Sequence, residues 1–173
     1  MEIKTFMQKK HNKESGLTLI ELIVAVGIFG LVVVMSVSIC VSALLSQRRM
    51  IALRNVEDNA RFALESMARE IRTGKNFSKN NGLLSFTNAK GESIIYGLNN
   101  GVIEKSSDGG SSYFSVTGSE ANVNYLDFYL MGQAPGDGLE PRITITIGIT
   151  SQIGNQSVNL KVQTTISERF LQS

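Results

Sequence analysis

Residues 22–45 read LIVAVGIFGLVVVMSVSICVSALL, 19 hydrophobic side chains in 24 positions with only Gly and Ser between them. From Leu22 to Gln47 no side chain ionises except the Cys40 thiol. As a helix, a stretch of that length would extend ~39 Å, whereas a bilayer core of ~30 Å needs only ~20 residues. The stretch therefore predicts one membrane-crossing helix. The remainder of the 173 residues is polar enough for a single small domain and does not describe a polytopic membrane protein.

Charge and composition then remove several chemistries. The chain has 17 Lys+Arg against 15 Asp+Glu, a formal +2. Lys4, Lys9, Lys10 and Lys13 against Glu2 and Glu14 account for all of it, and the residues after Gly16 balance at 13 and 13. From Lys75 onward there are 7 basic and 8 acidic residues without a basic stripe, so no specific nucleic-acid partner is predicted. Cys40 lies in the apolar stretch and His11 before it. One Cys allows no intramolecular disulfide, and the C-terminal region can build neither a Cys/His zinc site nor a His-activated nucleophile. It also lacks a phosphate-binding Gly loop, so an anchored enzyme would have to work with Asp and Glu alone. The expectation is no enzyme, no cofactor and no metal.

Glu21 is the anomaly. A charged group within an apolar helix costs ~2.5–3.5 kcal/mol at the bilayer centre on the lenient insertion scale, and less near the interface. It suits the positive end of the helix dipole but asks for a cationic partner. A cut after Gly16 would place a new α-amino group on Leu17, one helical turn away, and a neighbouring subunit's amine would serve equally well.

Gly16-Leu17-Thr18-Leu19-Ile20-Glu21 follows a short Lys-rich leader and opens the apolar helix. This arrangement resembles the prepilin processing motif of type IV pilins and type II secretion pseudopilins. The resemblance implies that a prepilin peptidase cuts between Gly16 and Leu17, that Leu17 is N-methylated, and that Glu21 pairs with a neighbour's N-terminus during assembly. It also resolves the topology. Lys4, Lys9, Lys10 and Lys13 before the stretch and Arg48, Arg49, Arg54 and Arg61 after it tie on the positive-inside count, whereas the family keeps the leader cytoplasmic and the C-terminal domain outside. The sequence departs from the family in two places. Leu17 stands where Phe is commonest, and Ser36 to Ser42 occupy the region where many major pilins carry a proline. Two other fates fit the residues less well. Lipoprotein processing at Cys40 would need a small residue at Ile39, and signal-peptide cleavage after Ala43 would leave Glu21 inside an over-long apolar core.

Beyond the apolar stretch nothing breaks a helix from Ser46 to Arg72, and Thr73-Gly74 offers a stop. Leu53, Val56, Ala60, Leu64, Met67 and Ile71 form one apolar stripe. Arg54 with Asp58, Glu57 with Arg61, Arg61 with Glu65 and Glu65 with Arg69 stand four apart on the other, solvated face, each pairing supporting the helix by ~0.2–0.5 kcal/mol. Leu17 to Thr73 would then be one helix of ~85 Å. After Gly74 the texture changes, with 12 of the 16 glycines and 9 of the 12 aromatics. Period-2 alternation at residues 143–149 and 158–166 predicts an antiparallel pair across Ser151 to Ser157. Asn99-Asn100-Gly101 predicts a tight hairpin, and Val123 to Met131, apolar on both faces, predicts a central strand. Pro135 and Pro141 bracket a polar loop.

The fold class expected is α+β, pilin-like: a long N-terminal helix, apolar then amphipathic, packed on an antiparallel β-sheet. The expected divisions are a leader at 1–16, an assembly helix at 17–46, its amphipathic continuation at 47–74, and a β-rich extracytoplasmic domain at 75–173. The order of hairpin, long central strand and two C-terminal strands ending in VQTTISERF is similar in pattern to minor pilins and minor pseudopilins; major pilins commonly close a C-terminal loop with a disulfide, which a single Cys cannot form. Some pseudopilins bind calcium, but Asp108, Asp127, Asp137 and Glu140 lack the spacing of a calcium loop, and Asp108-Gly109 and Asp137-Gly138 read better as turn-formers. The resemblance implies a structural subunit of a pilus, a competence filament or a secretion pseudopilus, anchored in the inner membrane. The implied partners are the prepilin peptidase, an inner-membrane assembly platform, other pilin or pseudopilin subunits and the membrane itself. The alternative is an anchored binding module, an adhesin or a DNA-uptake subunit.

Overall fold

A computed structural model of the chain describes residues 16–132 and 141–167. The chain divides into two compact units, Met1–Ala43 and Leu44–Ser173. One helix, α1 (Leu19–Ile71), supplies the described secondary structure of the first and opens the second. It stops two residues short of the expected limit at each end.

In the first unit every described residue is exposed, from Gly16 to Ala43. Protein packing accounts for none of this apolarity, so α1 is long and apolar enough to cross a membrane. Ser36 and Ser38 donate their hydroxyls to the carbonyls of Val32 and Val34, at 2.8 and 3.0 Å. These i−4 bonds satisfy two polar side chains within the helix itself, where a lipid or apolar partner could not.

The second unit packs the amphipathic part of α1 against two antiparallel sheets. The first sheet is a five-stranded meander of β1 (Lys75–Asn80), β2 (Leu83–Thr87), β3 (Ser93–Asn99), β4 (Val102–Ser106) and β5 (Phe114–Ser115), in that order. The second runs β6 (Asn122–Met131), β7 (Arg142–Ile153), β8 (Gln156–Ser167). Val56, Ala60, Ala63, Met67 and Ile71 of α1 meet Leu84, Phe86, Ile94, Tyr96 and Ile103 from the first sheet in one core. Val123, Leu126, Phe128, the isoleucines at 143, 145, 147 and 149, and Ile166 join it from the second. The helix with antiparallel strands is thus as expected, but the strands divide into two sheets where one was expected.

Turn chemistry fixes the registers. Asn81-Gly82 and Asn100-Gly101 join their strands through two residues of positive φ (49° and 80°, 47° and 78°), the type I′ geometry whose twist matches that of the flanking strands. The expected C-terminal pair forms, but its strands run on to Ile153 and from Gln156, leaving a two-residue turn at Gly154-Asn155.

Three further expectations change. Within its sheet β6 pairs with β7 alone, so it is an outer strand, and the central strand is β7. Only Val123, Leu126 and Phe128 of β6 are buried, while Tyr129 and Met131 point outward. None of the four i,i+4 charge pairs closes within 4 Å; the ion pair among the described residues is Lys105 with Glu70. Gly74 does not take the left-handed conformation of a helix cap. Its value lies in close approach, since a Cβ there would stand 2.6 Å from Cδ2 of Phe86, and Asn76 takes the positive φ instead. The loop bracketed by Pro135 and Pro141 falls in 133–140, outside the described residues, up to Pro141 itself.

Candidate processing and assembly site

The three residues singled out from the sequence fall at the start of α1. Gly16 and Leu17 precede the helix, and the Leu17 side chain is 72 % exposed. Thr18 begins the turn. Its carbonyl accepts the Leu22 N–H at 3.1 Å, and its Oγ1 accepts the Glu21 N–H at 3.3 Å. Those two bonds make Thr18 the N-cap, the residue at which helical backbone geometry begins. The Gly16–Leu17 peptide bond is consequently left outside the helix, and both residues are exposed.

Glu21 is the third residue after the cap and lies in the first turn, where the unpaired amides of the helix start favour a negative charge. Its side chain is exposed, and its carboxylate makes no hydrogen bond or ion pair with a described residue. Thr18-Leu19-Ile20-Glu21 has the spacing of a capping box, S/T-x-x-E. Sequence reasoning missed Thr18, and this tetrapeptide is the signal that could have found it. Only half of the box closes, because the carboxylate does not return to the Thr18 N–H. An acidic group is thus held at a fixed place one turn from Leu17 and left available to a partner.

Elsewhere the polar groups are engaged in holding the fold. Tyr96, fully buried, donates its hydroxyl to Glu70 at 2.8 Å, and Glu70 in turn pairs with Lys105. Burial, with the Glu70 carboxylate beside it, holds the Tyr96 phenol above the usual tyrosine range. Asp108 accepts the Ser106 hydroxyl at 2.7 Å and the N–H groups of Ser111 and Ser112 at 2.9 Å each. Those bonds, the Ser106 hydroxyl first, hold its carboxyl below the usual range. Asp108 is therefore committed to its own turn. Asp127 stands on the outer face of the second sheet, and Asp137 and Glu140 lie outside the described residues. Among the described residues no three His, Cys, Asp or Glu side chains gather as metal ligands would.

Residues 11–37 match the family model described as the prokaryotic N-terminal methylation motif. The match takes in Gly16, Leu17, Thr18, Glu21 and the apolar part of α1 as far as Val37. No curated protein and no solved structure matches the chain.

Proposed function

We propose that this chain, a type IV pilin- or pseudopilin-like prepilin by the methylation motif it carries, is a minor subunit of a pilus, a competence filament or a type II secretion pseudopilus. A prepilin peptidase removes residues 1–16 by cutting the Gly16–Leu17 bond, and Leu17 becomes the methylated N-terminus. The subunit waits in the cytoplasmic membrane with its N-terminus inside and its C-terminal region outside. It then passes through an inner-membrane assembly platform into the filament, where α1 packs among other pilin-type subunits.

The observation that carries this reading is the capped start of α1. Thr18 caps the start of the helix with only Leu17 between it and the proposed cut, so the bond to be cleaved lies outside the helix, while Glu21 waits one turn away with a carboxylate that has no partner among the described residues. A buried carboxylate without a partner costs several kcal/mol, so its place in an apolar rod makes sense if an amine meets it on assembly. The minor role draws support from the single Cys, which cannot close the C-terminal disulfide loop common in major pilins. Methylation-motif proteins of the pilin kind are structural, and the role proposed is non-enzymatic.

Intact-mass measurement of the chain extracted from membranes tests the reading. The expected species begins at Leu17 and carries one methyl group. A chain that still begins at Met1, or one that begins at Leu44 after signal-peptide cleavage, overturns it.

A further inference from the structure

The apolar stretch of α1 ends at Leu45, and the next charges are Arg48 and Arg49, ~4.5 and ~6 Å further along the helix axis. Headgroup layers extend ~5–8 Å beyond the hydrocarbon core on each side of a bilayer. The stretch rises ~36 Å against a core of ~30 Å, a surplus that tilt absorbs, so both of its ends reach the headgroups. Two guanidinium groups thus arrive at the depth of the lipid phosphates. Both arginines are exposed, and neither closes an ion pair with a described residue. We propose that Arg48 and Arg49, beside the turn between β7 and β8, form a site for the headgroup phosphate of an anionic phospholipid.

The course of β7 along the helix brings that turn to the arginines. Asn55 Nδ2 donates to Ser151 Oγ at 3.4 Å, and three residues later a Cβ at Gly154 would stand 3.2 Å from Nη1 of Arg48. Three strand residues and seven helix residues each cover ~10 Å, so β7 descends α1 toward the apolar stretch. Gly154 has a φ of 58° and no side chain, and the Arg48 guanidinium lies against it. Residues 152–157 carry no charge, and the nearest carboxylates along α1, Glu57 and Asp58, are ~12–15 Å from the two arginines. Glu120 is held at Asn59, further still. Asp137, Glu140 and Glu168 lie outside the described residues, but the chain is too short to bring them here. Residues 168–173 leave the sheet at Ser167, ~36 Å along β8 from Gln156, and six residues extend at most ~21 Å. Residues 133–140, tied at both ends, reach at most ~16 Å of the ~33 Å from Arg142 to Gln152. Glu2 and Glu14 precede the apolar stretch and so fall across the bilayer. Nothing in the chain neutralises the two guanidinium groups. A phosphate accepts their paired N–H donors, and an anionic lipid brings it without the cation that a zwitterionic headgroup carries.

The site depends on the membrane-crossing helix alone, so its presence or loss leaves the subunit reading untouched. The full chain, with the leader's four lysines replaced by Gln so that they do not compete, is solubilised in neutral detergent. It is titrated with phosphatidylglycerol or phosphatidylcholine, and bound lipid is counted by native mass spectrometry. Phosphatidylglycerol is expected to bind ~tenfold more tightly. Arg48→Gln with Arg49→Gln is expected to abolish that preference, Arg48→Lys with Arg49→Lys to keep most of it, and Arg72→Gln, beyond the far end of α1, to leave it unchanged. Excess inorganic phosphate is expected not to displace the lipid. In phosphatidylglycerol vesicles, a nitroxide on Asn155→Cys in a Cys40→Ser chain is expected to read headgroup depth, and one on Glu104→Cys to read open water. Equal binding of the two lipids, a preference that survives the double Gln variant, displacement by inorganic phosphate, or a nitroxide at residue 155 in open water overturns the proposal.

Discussion

Asn59 sits on the buried face of α1, 7 % exposed, between Val56 and Ala60 of the apolar stripe. Its Oδ1 accepts the Gly118 N–H at 2.7 Å, and its Nδ2 donates to the Asn55 carbonyl at 2.9 Å and to Glu120 at 3.3 Å. It ties the helix to the segment that leads into β6. Asn59→Ala strands the Gly118 N–H and should lower stability by ~1–3 kcal/mol, read as a lower midpoint in thermal unfolding of the detergent-solubilised chain. Such a residue is invisible to periodicity, which scores an Asn on an apolar face as a flaw in the pattern. The same holds for Tyr96, whose partner Glu70 is 26 residues away. Two displaced ionisations each give the fold a pH-dependent contribution. Asp108 is held below its ordinary range in the fold, so its contribution is complete above about pH 4 and is lost as pH falls further. Tyr96 is held above its range, so its contribution is complete below about pH 10 and is lost as pH rises past that point. Tyr96→Phe should therefore make the alkaline fall of the unfolding midpoint shallower, and Asp108→Asn should do the same to the acid fall, the latter more weakly because Asp108 is exposed to solvent.

At the scale of elements, α1 shows what a stripe of apolar residues does and does not tell. The sequence supports Leu53 and Leu64 as well as Ala52 and Ala63, because neighbouring positions fit a 3.6-residue period almost equally. The structure buries the alanines and leaves the leucines half-exposed at the flanks. Ala52, Ala60 and Ala63 are buried beside Val56, Met67 and Ile71, in a packed core where a larger side chain would have to displace its neighbours. Ala63→Leu should thus destabilise by ~1–3 kcal/mol through overpacking. Arg61→Ala, which breaks no formed ion pair, should shift stability by less than ~0.5 kcal/mol. Stability measured on the two variants side by side separates packing from charge, and a larger loss at Arg61 would reverse that ranking. The strands repeat the lesson. Asn100-Gly101 was legible because Ile94, Ile95, Val102 and Ile103 flank it, whereas the equivalent Asn81-Gly82 follows β1, almost wholly exposed and too polar to read as a strand. β6 looked central because Tyr129 and Met131 make its outer face apolar, but pairing, which sequence alone does not display, leaves it at an edge.

For the whole molecule the decisive quantity is the uncompensated charge at Glu21. After removal of residues 1–16 the proposed mature chain of 157 residues carries 13 basic and 13 acidic side chains, so the leader's +2 has no part in the assembled state. A carboxylate at the edge of a membrane helix is a cost in the bilayer, and replacing it with a neutral side chain should make the membrane-resident subunit no less stable. If Glu21 mattered only before assembly, Glu21→Ala would be silent or mildly favourable at every stage. The subunit reading expects a split instead. Cleavage after Gly16 continues, because Leu17 and the Thr18 cap are untouched, and the variant accumulates in the membrane. It is then depleted from sheared filaments, where the free amine of a neighbouring Leu17 no longer finds its counter-charge. Glu21→Gln sharpens the test by keeping size and hydrogen-bonding capacity while removing the charge. Depletion of both variants assigns the effect to ion pairing, depletion of Ala alone assigns it to hydrogen bonding, and normal incorporation of both would remove the role given to this carboxylate.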